Sequence, residues 1–356
     1  MISINLPPCD LDPWLKHART PGTVFRLGPG DFTTGGAFGF AEHDLCMLAP
    51  GCRLIGAGSL LTRIRLCQPV TEHGGIPTNY IESLTGGART IGTSEHLEMS
   101  GFTLDLYGVE MTMPRIGIHL WTSKATIRDV RVMGVRGMRE WHGEVDEGFG
   151  ILINNAYSSD CDGGHRIKEC HIALTEPKHE NYTTAMFVGC PKRAVEMLRS
   201  IVSDVRCVAS GAHAAFAANA NTTFTNCEAH GFIRAFFCDT AAIQNVVIRN
   251  MLASGLSWGV HIEGGSAIAG FAVHDSLFCF AARPNDWAQA VRIESIASHG
   301  VRFNNCEFFA GEEAKKTGLA SMGRTAGANT GAVEMHNCRW HGPWKPAVIQ
   351  NGAGKW

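Results

Sequence analysis

The sequence has no long apolar run, no recognisable secretory leader and no excess of either charge. No stretch approaches the ~18 apolar residues of a membrane helix, and the N-terminal MISINLPPCDLDPWLKHA lacks a charged n-region and an apolar h-region. The formal net charge is −2, without a basic cluster. We therefore predict no membrane segment and no nucleic-acid partner. We expect a cytoplasmic protein, and secretion behind a removed signal stays open.

Paired cysteines and several common catalytic fingerprints are also missing. The 13 cysteines are an odd number and none stand as CxxC, which favours reduced thiols over a disulfide scaffold. The sequence contains no HExxH motif, no Walker loop and no dinucleotide fingerprint. The 16 histidines show no tight metal spacing, so no zinc site is predicted.

What the chain does contain is a repeat of short strand-like segments. They recur every few tens of residues and are separated by Gly, Asn and Asp, as strands and turns are. Each repeat contains two such segments, and in three repeats the first segment ends in an acid, at 235–239 (AFFCD), 259–263 (GVHIE) and 290–294 (AVRIE). A unit of two strands that recurs in this way predicts a solenoid, in which each unit buries its face only against the next.

The second strand of each unit ends in a polar residue followed by a small or apolar one. The polar column contains Asp129, Glu169, Asp204, Asn226, Asn250, Asp275, Asn305 and Asn337. We expect these side chains to form a ladder of hydrogen bonds with neighbouring turn backbone. The next column contains Val130, Cys170, Val205, Cys227, Met251, Ser276, Cys306 and Cys338. We interpret it as an inward core stack, in which cysteine serves as a small hydrophobe.

These repeats carry a family resemblance. The GIHLW/ATIRDV and AVRIE/VRFNNCEF units, with the early GPGDF and LIGAGSLLTRI segments, resemble the right-handed parallel β-helix of the pectin lyase-like superfamily. The resemblance covers roughly residues 20–340 and implies an all-β, single-stranded right-handed solenoid. That superfamily includes lyases, hydrolases, transferases, epimerases and phage tailspikes, so the fold leaves the activity open.

The expected organisation is one β-helix domain. Asp12 and Pro13 have the residue types of an N-cap and a first helical position, which predicts a short helix that caps the solenoid. The Gly/Ala/Lys-rich insertion at 311–330 is interpreted as a surface loop. We predict an N-terminal cap at 1–22, coils at 23–340 and a C-terminal tail at 341–356.

The first strands are predicted to present two outward columns, because alternate side chains of a strand face opposite sides. The first column contains His119, Leu152, Phe187, Phe216, Phe237, His261, Arg292 and Glu334, with His213 as an alternative to Phe216. The second contains Trp121, Asn154, Gly189, Ala218, Asp239, Glu263, Glu294 and His336. The positions between them, such as Val260, Ile262, Val291 and Ile293, are expected to face inward.

The acids of this face are the predicted catalytic groups, Asp239, Glu263 and Glu294. Strands in adjacent coils lie ~4.8 Å apart, which suits the ~5–5.5 Å between carboxyls when one of them is a nucleophile. Acids on alternate coils come near the ~6.5–9.5 Å between carboxyl groups that direct attack by water requires. His261 and Arg292 are expected to orient an acid or bind an anion. A solvated, salt-bridged ladder of acids is the alternative.

Substrate binding is assigned to the aromatic and polar residues around these acids. Aromatic rings suit the apolar faces of sugars, or a contact between subunits of a homotrimer. Trp141 and His142 belong to a loop beside the groove, and loops carry binding residues disproportionately. The predicted binding residues are His119, Trp121, Asn154, Phe187, Phe237, Trp141, His142, Glu334 and His336.

We predict a carbohydrate-active enzyme that cleaves or transfers a glycosidic bond in an oligo- or polysaccharide. One alternative is a uronate lyase, with His261 as the base and Arg292 or calcium neutralising the substrate carboxylate. Another is a non-catalytic, tailspike-like glycan-binding solenoid, and a third is an intracellular isomerase or cyclase acting on a small metabolite. No cofactor is predicted and no metal is assigned, with calcium on the acid ladder left open.

Overall fold

The computed structural model divides into two compact units, 1–200 and 201–356. The described residues are 2–15, 20–34, 51–66, 79–84, 97–107, 116–121, 123–135, 148–153, 163–174, 183–189, 198–238, 243–262, 267–281, 289–293, 297–311, 321–325, 333–344 and 348–349.

Unit 1 is built from short parallel strands and one helical turn. In chain order its elements are β1 Ser3–Leu6, α1 Asp12–Leu15, β2 Val24–Leu27, β3 Gly30–Thr34, β4 Arg53–Ile55, β5 Thr62–Leu66, β6 Asn79–Leu84, β7 Glu98–Asp105, β8 Ile116–Trp121, β9 Thr126–Val135, β10 Gly148–Ile153, β11 Arg166–Lys168, β12 His171–Leu174 and β13 Thr183–Val188. The strands pair in three parallel stacks: β6–β8–β10–β13, β1–β2–β4–β7–β9–β11 and β3–β5–β7–β9–β12.

Unit 2 repeats the same arrangement. Its strands are β15 Arg206–Ala218, β16 Thr222–Thr225, β17 Glu228–Cys238, β18 Ile243–Gln244, β19 Val247–Arg249, β20 Leu252–Leu256, β21 Trp258–Ile262, β22 Ala267–His274, β23 Leu277–Phe280, β24 Gln289–Ile293, β25 Ala297–Asn304, β26 Glu307–Ala310, β27 Ser321–Thr325, β28 Val333–His336, β29 Arg339–His341 and β30 Val348–Ile349, while β14 Ser200–Ser203 includes residues of both units.

Three parallel stacks run through unit 2, so a coil has three strands where the sequence predicted two. The first stack is β15–β17–β21–β24–β27–β30, which begins with the C-terminal half of β15 and continues through that of β17. The second stack is β16–β19–β22–β25–β28. The third stack is β15–β17–β20–β23–β26–β29.

The predicted short helix is present at Asp12–Leu15. The Thr34 hydroxyl donates to the Asp12 carboxylate at 2.5 Å, and the Asp12 amide donates to the Asp10 carboxylate at 3.2 Å. Parallel pairing also occurs within the predicted cap and tail, at β1 and β30. Among the helices that the structure describes, none is long and apolar enough to cross a membrane.

The polar column at the end of the second strands occupies a left-handed turn. All eight residues have φ between +50° and +57°, a conformation that Asn and Asp tolerate better than other side chains do. Asp129 bonds to turn backbone as predicted, since the Ser59 N–H donates to its carboxylate at 3.1 Å. Elsewhere in the column, side-chain amides donate to side-chain oxygens one coil away. The distances are 2.8–3.2 Å in the pairs Asn226–Asp204, Asn250–Asn226, Asn305–Asp275 and Asn337–Asn305.

The following column faces the core as predicted, except that Cys338 is only half-buried. Cys170, Cys227 and Cys306 are at most 2% exposed, and each thiol lies 3.3–3.4 Å from the carbonyl two residues earlier. Burial raises the pKa of Cys170 and of Cys227 to about 12. These thiols are therefore neutral packing groups at physiological pH, which supports the structural interpretation.

The insertion at 311–330 is not only a loop. It contains β27, which pairs with β24 through Arg292–Arg324 and with β30 through Arg324–Val348. The sequence of β27, SMGRT, has neither β-branched residues at alternate positions nor a polar turn residue after it. A coil was therefore missed in the sequence, and this shifts the assignment of residues beyond it.

The column of polar residues in left-handed turns predicts that alanine and glycine substitutions affect stability in opposite order at two neighbouring exposed positions. At Asn250, alanine loses the amide ladder and keeps a strained φ of +51°, whereas glycine relieves the strain. We expect Asn250→Ala to lower the free energy of unfolding by about 1 kcal/mol more than Asn250→Gly, as measured by denaturant titration. At Arg249, an exposed strand residue without positive φ, the order should reverse. If alanine were the more destabilising substitution at both sites, the left-handed turn would not explain the effect at Asn250.

Candidate functional site

The first stack of unit 2 aligns the outward residues as the sequence predicted. Phe237 of β17, His261 of β21 and Arg292 of β24 are successive register partners. The inward positions are also confirmed, since Val260, Ile262, Val291 and Ile293 are at most 2% exposed.

A second row lies three residues earlier in the same strands, formed by Arg234, Trp258 and Gln289. The two rows are separated by two consecutive inward residues, such as Gly259 and Val260. A Cβ on Gly259 would lie 2.5 Å from the Ala290 carbonyl oxygen and 3.2 Å from the Phe280 ring, so this corner requires glycine. Gly259 and Val260 both face inward, so Trp258 and His261, the residues on either side of them, both face outward.

Side chains of the two rows form one arginine–aromatic cluster, which we define as His213, Arg234, Phe237, Trp258, His261 and Arg292. The Arg234 guanidinium lies 4.2 Å from the Trp258 ring centroid and 4.8 Å from that of Phe237. Arg292 lies 4.7 Å from the same Trp258 ring. Two guanidinium groups thus share one indole, a favourable cation–π arrangement that holds positive charge at the surface of the stack.

A buried hydrogen bond fixes the orientation of Arg234. Its Nε donates to Nδ1 of His261 at 2.8 Å, and the two residues are 9% and 1% exposed. Arginine can only donate, so Nδ1 must accept and a neutral His261 ring carries its proton on Nε2. This geometry suits an orienting role for His261 and does not suit the role of proton-abstracting base.

His213 packs against Phe237 at one edge of the cluster. Its ring centroid lies 4.5 Å from that of Phe237, edge to face. Burial, followed by the charges of Arg234 and His261, lowers the pKa of His213 from 6.5 to about 2. His213 is therefore neutral at physiological pH, and the positive charge of the cluster belongs to its arginines.

Several predicted residues lie outside the described residues: Asp239, Glu263, Glu294, Asn154, Trp141 and His142. In unit 1, His119, Leu152 and Phe187 are successive register partners as predicted. Trp121 ends β8 and pairs with Leu84. Phe187 is 9% exposed and packs edge-on against Phe149, with ring centroids 6.1 Å apart.

Two predicted members of the face belong elsewhere. Glu334 and His336 pair with Arg302 and Asn304 in the second stack, and Glu334 accepts from Arg302 Nε at 2.8 Å. The assignment of Glu334 to the first column and of His336 to the second was wrong, because the missed strand β27 pairs Arg324 with Arg292.

Phe216 was also misassigned. It is fully buried and pairs with the inward Phe236, whereas Ala217 pairs with Phe237. The alternative, His213, does contact Phe237.

Sequence reasoning missed Arg234 and Trp258. The signal was present, because each stands three residues before a predicted outward residue of its strand, as Gln289 does. Strict alternation hides this row, since it assigns residues three apart to opposite faces. Within the described residues, no group of three or more His, Cys, Asp or Glu side chains could hold a metal ion.

In sequence, the chain matches no family model and no curated protein. Solved structures resemble it in fold. The A-module of the mannuronan C-5 epimerase AlgE6 of Azotobacter vinelandii is 12% identical over 96% of this chain and 92% of that chain, with a TM-score of 0.50. A polygalacturonase of Erwinia carotovora is 11% identical over 100% and 96%, also with a TM-score of 0.50. The chain has the right-handed parallel β-helix fold of these two structures. At these identities the likeness establishes the β-helix and not an activity.

The cluster predicts an imidazole that resists protonation. A lowered pKa means that the folded protein opposes protonation of His213, so its contribution to stability is present above pH 6.5 and is lost as the pH falls towards 2. The His213 ring signals in NMR should not titrate between pH 8 and 4. In Arg234→Gln the pKa should rise only in part, because burial is the larger cause. Titration of wild-type His213 near 6.5 would contradict the buried, cation-flanked placement.

Proposed function

We propose that the protein is a carbohydrate-active enzyme that cleaves or transfers a glycosidic bond at the outer face of the first stack. The acid, base or nucleophile would be drawn from Asp239, Glu263 and Glu294. The arginine–aromatic cluster would bind the adjacent sugar. The substrate class would be an oligo- or polysaccharide that carries carboxylate groups.

The observation that carries the proposal is the register at the ends of three strands. Cys238, Ile262 and Ile293 are successive partners in β17, β21 and β24. Asp239, Glu263 and Glu294 are the next residues in the sequence. Strands in adjacent coils lie ~4.8 Å apart, which is close to the carboxyl separation that glycoside chemistry uses.

The cluster supports an acidic rather than a neutral substrate. Arg234 and Arg292 place two guanidinium groups beside Trp258, and guanidinium is the side chain best matched to a carboxylate. The two solved β-helix structures of similar extent are named as a mannuronan epimerase and a polygalacturonase, so this fold serves carbohydrate chemistry in both.

Bond cleavage by carboxyls is favoured over uronate lysis with His261 as the base. The hydrogen bond from Arg234 occupies Nδ1 of His261 and leaves a protonated Nε2, which is a donor. Calcium binding by the same acids remains a separate proposal, and repeating each assay with a chelator tests it. A homotrimer and a cytoplasmic location also remain predictions.

The decisive experiment compares the three acids with a matched acid elsewhere. Wild type, Asp239→Asn, Glu263→Gln and Glu294→Gln are digested against a panel of neutral and uronate-containing glycans. The control is Glu307→Gln, whose carboxylate pairs with Arg339 and His341 in the third stack. We expect at least one of the first three to lose about 100-fold or more in rate, while Glu307→Gln stays near wild type.

Three outcomes would count against this site. Equal cutting by all variants would remove the acids from the mechanism. An ultraviolet-absorbing, unsaturated product would show lysis instead. Tight glycan binding without any cutting would favour the binding solenoid.

Charge recognition has its own test. Arg292→Gln removes a guanidinium beside Trp258, so we expect KM for a uronate substrate to rise about tenfold. KM for the methyl-esterified form of the same substrate should change little, because it carries no carboxylate. Arg302→Gln, which loses an ion pair to Glu334 in the second stack, is the matched control. Equal effects on the charged and esterified substrates would contradict carboxylate binding by Arg292.

A further inference from the structure

A chain of hydrogen-bonded side chains lies on the third stack of unit 2, away from the cluster on the first stack. Ser254 of β20 and His230 of β17 are register partners, and Glu228 stands two residues before His230. Ser254 Oγ lies 2.8 Å from His230 Nδ1, and His230 Nε2 lies 3.1 Å from Glu228 Oε2. Arg206 Nε lies 3.4 Å from the same oxygen of Glu228.

The direction of these hydrogen bonds follows from their chemistry. An ionised Glu228 can only accept, so Nε2 of a neutral His230 carries the proton and donates to it. Nδ1 is then the acceptor, and the Ser254 hydroxyl donates to it. A serine hydroxyl on an imidazole whose other nitrogen is held by a carboxylate is the arrangement that activates serine as a nucleophile.

The three side chains lie on the solvent side of the strands. Ala229 and Ala253, which alternate with His230 and Ser254, are fully buried. The His230 side chain is 24% exposed and that of Glu228 is 43% exposed. His230 and Ser254 are each followed by a glycine with positive φ, Gly231 and Gly255.

The two glycines fix the corner at which both side chains stand. A Cβ on Gly231 would lie 1.9 Å from the Ala209 carbonyl oxygen, and one on Gly255 would lie 3.2 Å from the Gly231 Cα. The register of β20 also shifts between Ser254 and Leu256, an irregularity of the kind that re-aims side chains beside active sites.

A neighbouring serine provides a contrast. The segment GLSWG at 255–259 has the spacing of a nucleophile elbow. Its serine, Ser257, is 1% exposed and stands between two strands, whereas that elbow joins a strand to a helix. Ser254, in contrast, is half-buried and hydrogen-bonded to an imidazole.

We propose that Ser254, His230 and Glu228 form a second catalytic site, which hydrolyses short-chain acyl esters of alcohols. Ser254 Oγ bonds to the acyl carbon and its proton passes to Nδ1 of His230. The ester C–O bond then breaks, and His230 returns the proton to the departing alkoxide. Water attacks the acyl carbon and gives a proton to Nδ1 of His230. The bond between the acyl carbon and Ser254 Oγ then breaks, His230 returns the proton to Oγ, and a carboxylic acid is released. Glu228 is a positioning residue that holds the ring.

The first test is labelling of the full-length protein by diisopropyl fluorophosphate. The serine oxygen bonds to phosphorus, fluoride leaves, and the proton passes to His230. Intact mass should rise by one diisopropylphosphoryl group, and peptide mapping should place it on Ser254. Ser257 is an internal control, as is Ser59, whose hydroxyl donates directly to the Asp129 carboxylate at 2.5 Å. Labelling spread over several serines, or absent from the wild type, would overturn the proposal.

The second test is the hydrolysis of p-nitrophenyl acetate. Wild type should release a burst of p-nitrophenol, which Ser254→Ala should lack. His230→Ala should lower the rate by about 100-fold or more, and added imidazole should restore part of it, a result that a merely structural histidine would not give. Glu228→Gln should slow the reaction, with partial recovery in Glu228→Asp. An unchanged rate in Ser254→Ala or His230→Ala would overturn the proposal.

The proposed Ser254 site is separate from the proposed glycosidic site on the first stack. Asp239→Asn and Glu263→Gln alter the proposed first-stack site and should leave labelling of Ser254 unchanged. Loss of labelling in those variants, with the fold intact by circular dichroism, would count against a separate third-stack site.

Discussion

Backbone pairing in a fixed parallel register is the constraint on which the rest of this structure depends. Each strand satisfies its N–H and C=O groups against the coils before and after it, and a slip of one residue would move every side chain to the other face. Asn250 shows how the register is held in unit 2. Its backbone N–H donates to the His274 carbonyl at 3.0 Å, while its side-chain amide donates to Asn226 at 2.8 Å. The turn therefore fixes both chain direction and coil-to-coil alignment.

Much of this could be predicted from sequence because it is local chemistry repeated many times. The eight polar turn residues were found by alignment alone, and all of them adopt the left-handed conformation that Asn and Asp accept most readily. Inward positions such as Val260 and Ile262 follow from strand periodicity, and the structure buries them. The alignment of Phe237, His261 and Arg292 then follows, because the turn at the end of each coil sets the next strand.

The parts that could not be predicted are those where the local pattern breaks. Strand β27 has no apolar alternation, so its pairing with β24 shows only in three dimensions, and Glu334 was assigned to the wrong stack in consequence. Phe216 was placed one residue out of register. The corner at Gly259 and Val260 turns two consecutive residues inward, so simple alternation concealed Arg234 and Trp258. Each failure comes from a tertiary contact that overrides strand periodicity.

Two histidines of unit 2 show how register turns one residue type into different chemistry. His261 lies beside Arg234, a pure donor, so its Nδ1 lone pair is occupied and the ring can only orient or donate. His230 lies beside Glu228, a pure acceptor, so its Nδ1 lone pair receives the Ser254 hydroxyl. The imidazoles are identical, and the partners that the coils bring to them decide their roles. Because each stack presents its own column of side chains, the two halves of one strand can carry different chemistry, as β17 does with His230 in the third stack and Arg234 in the first.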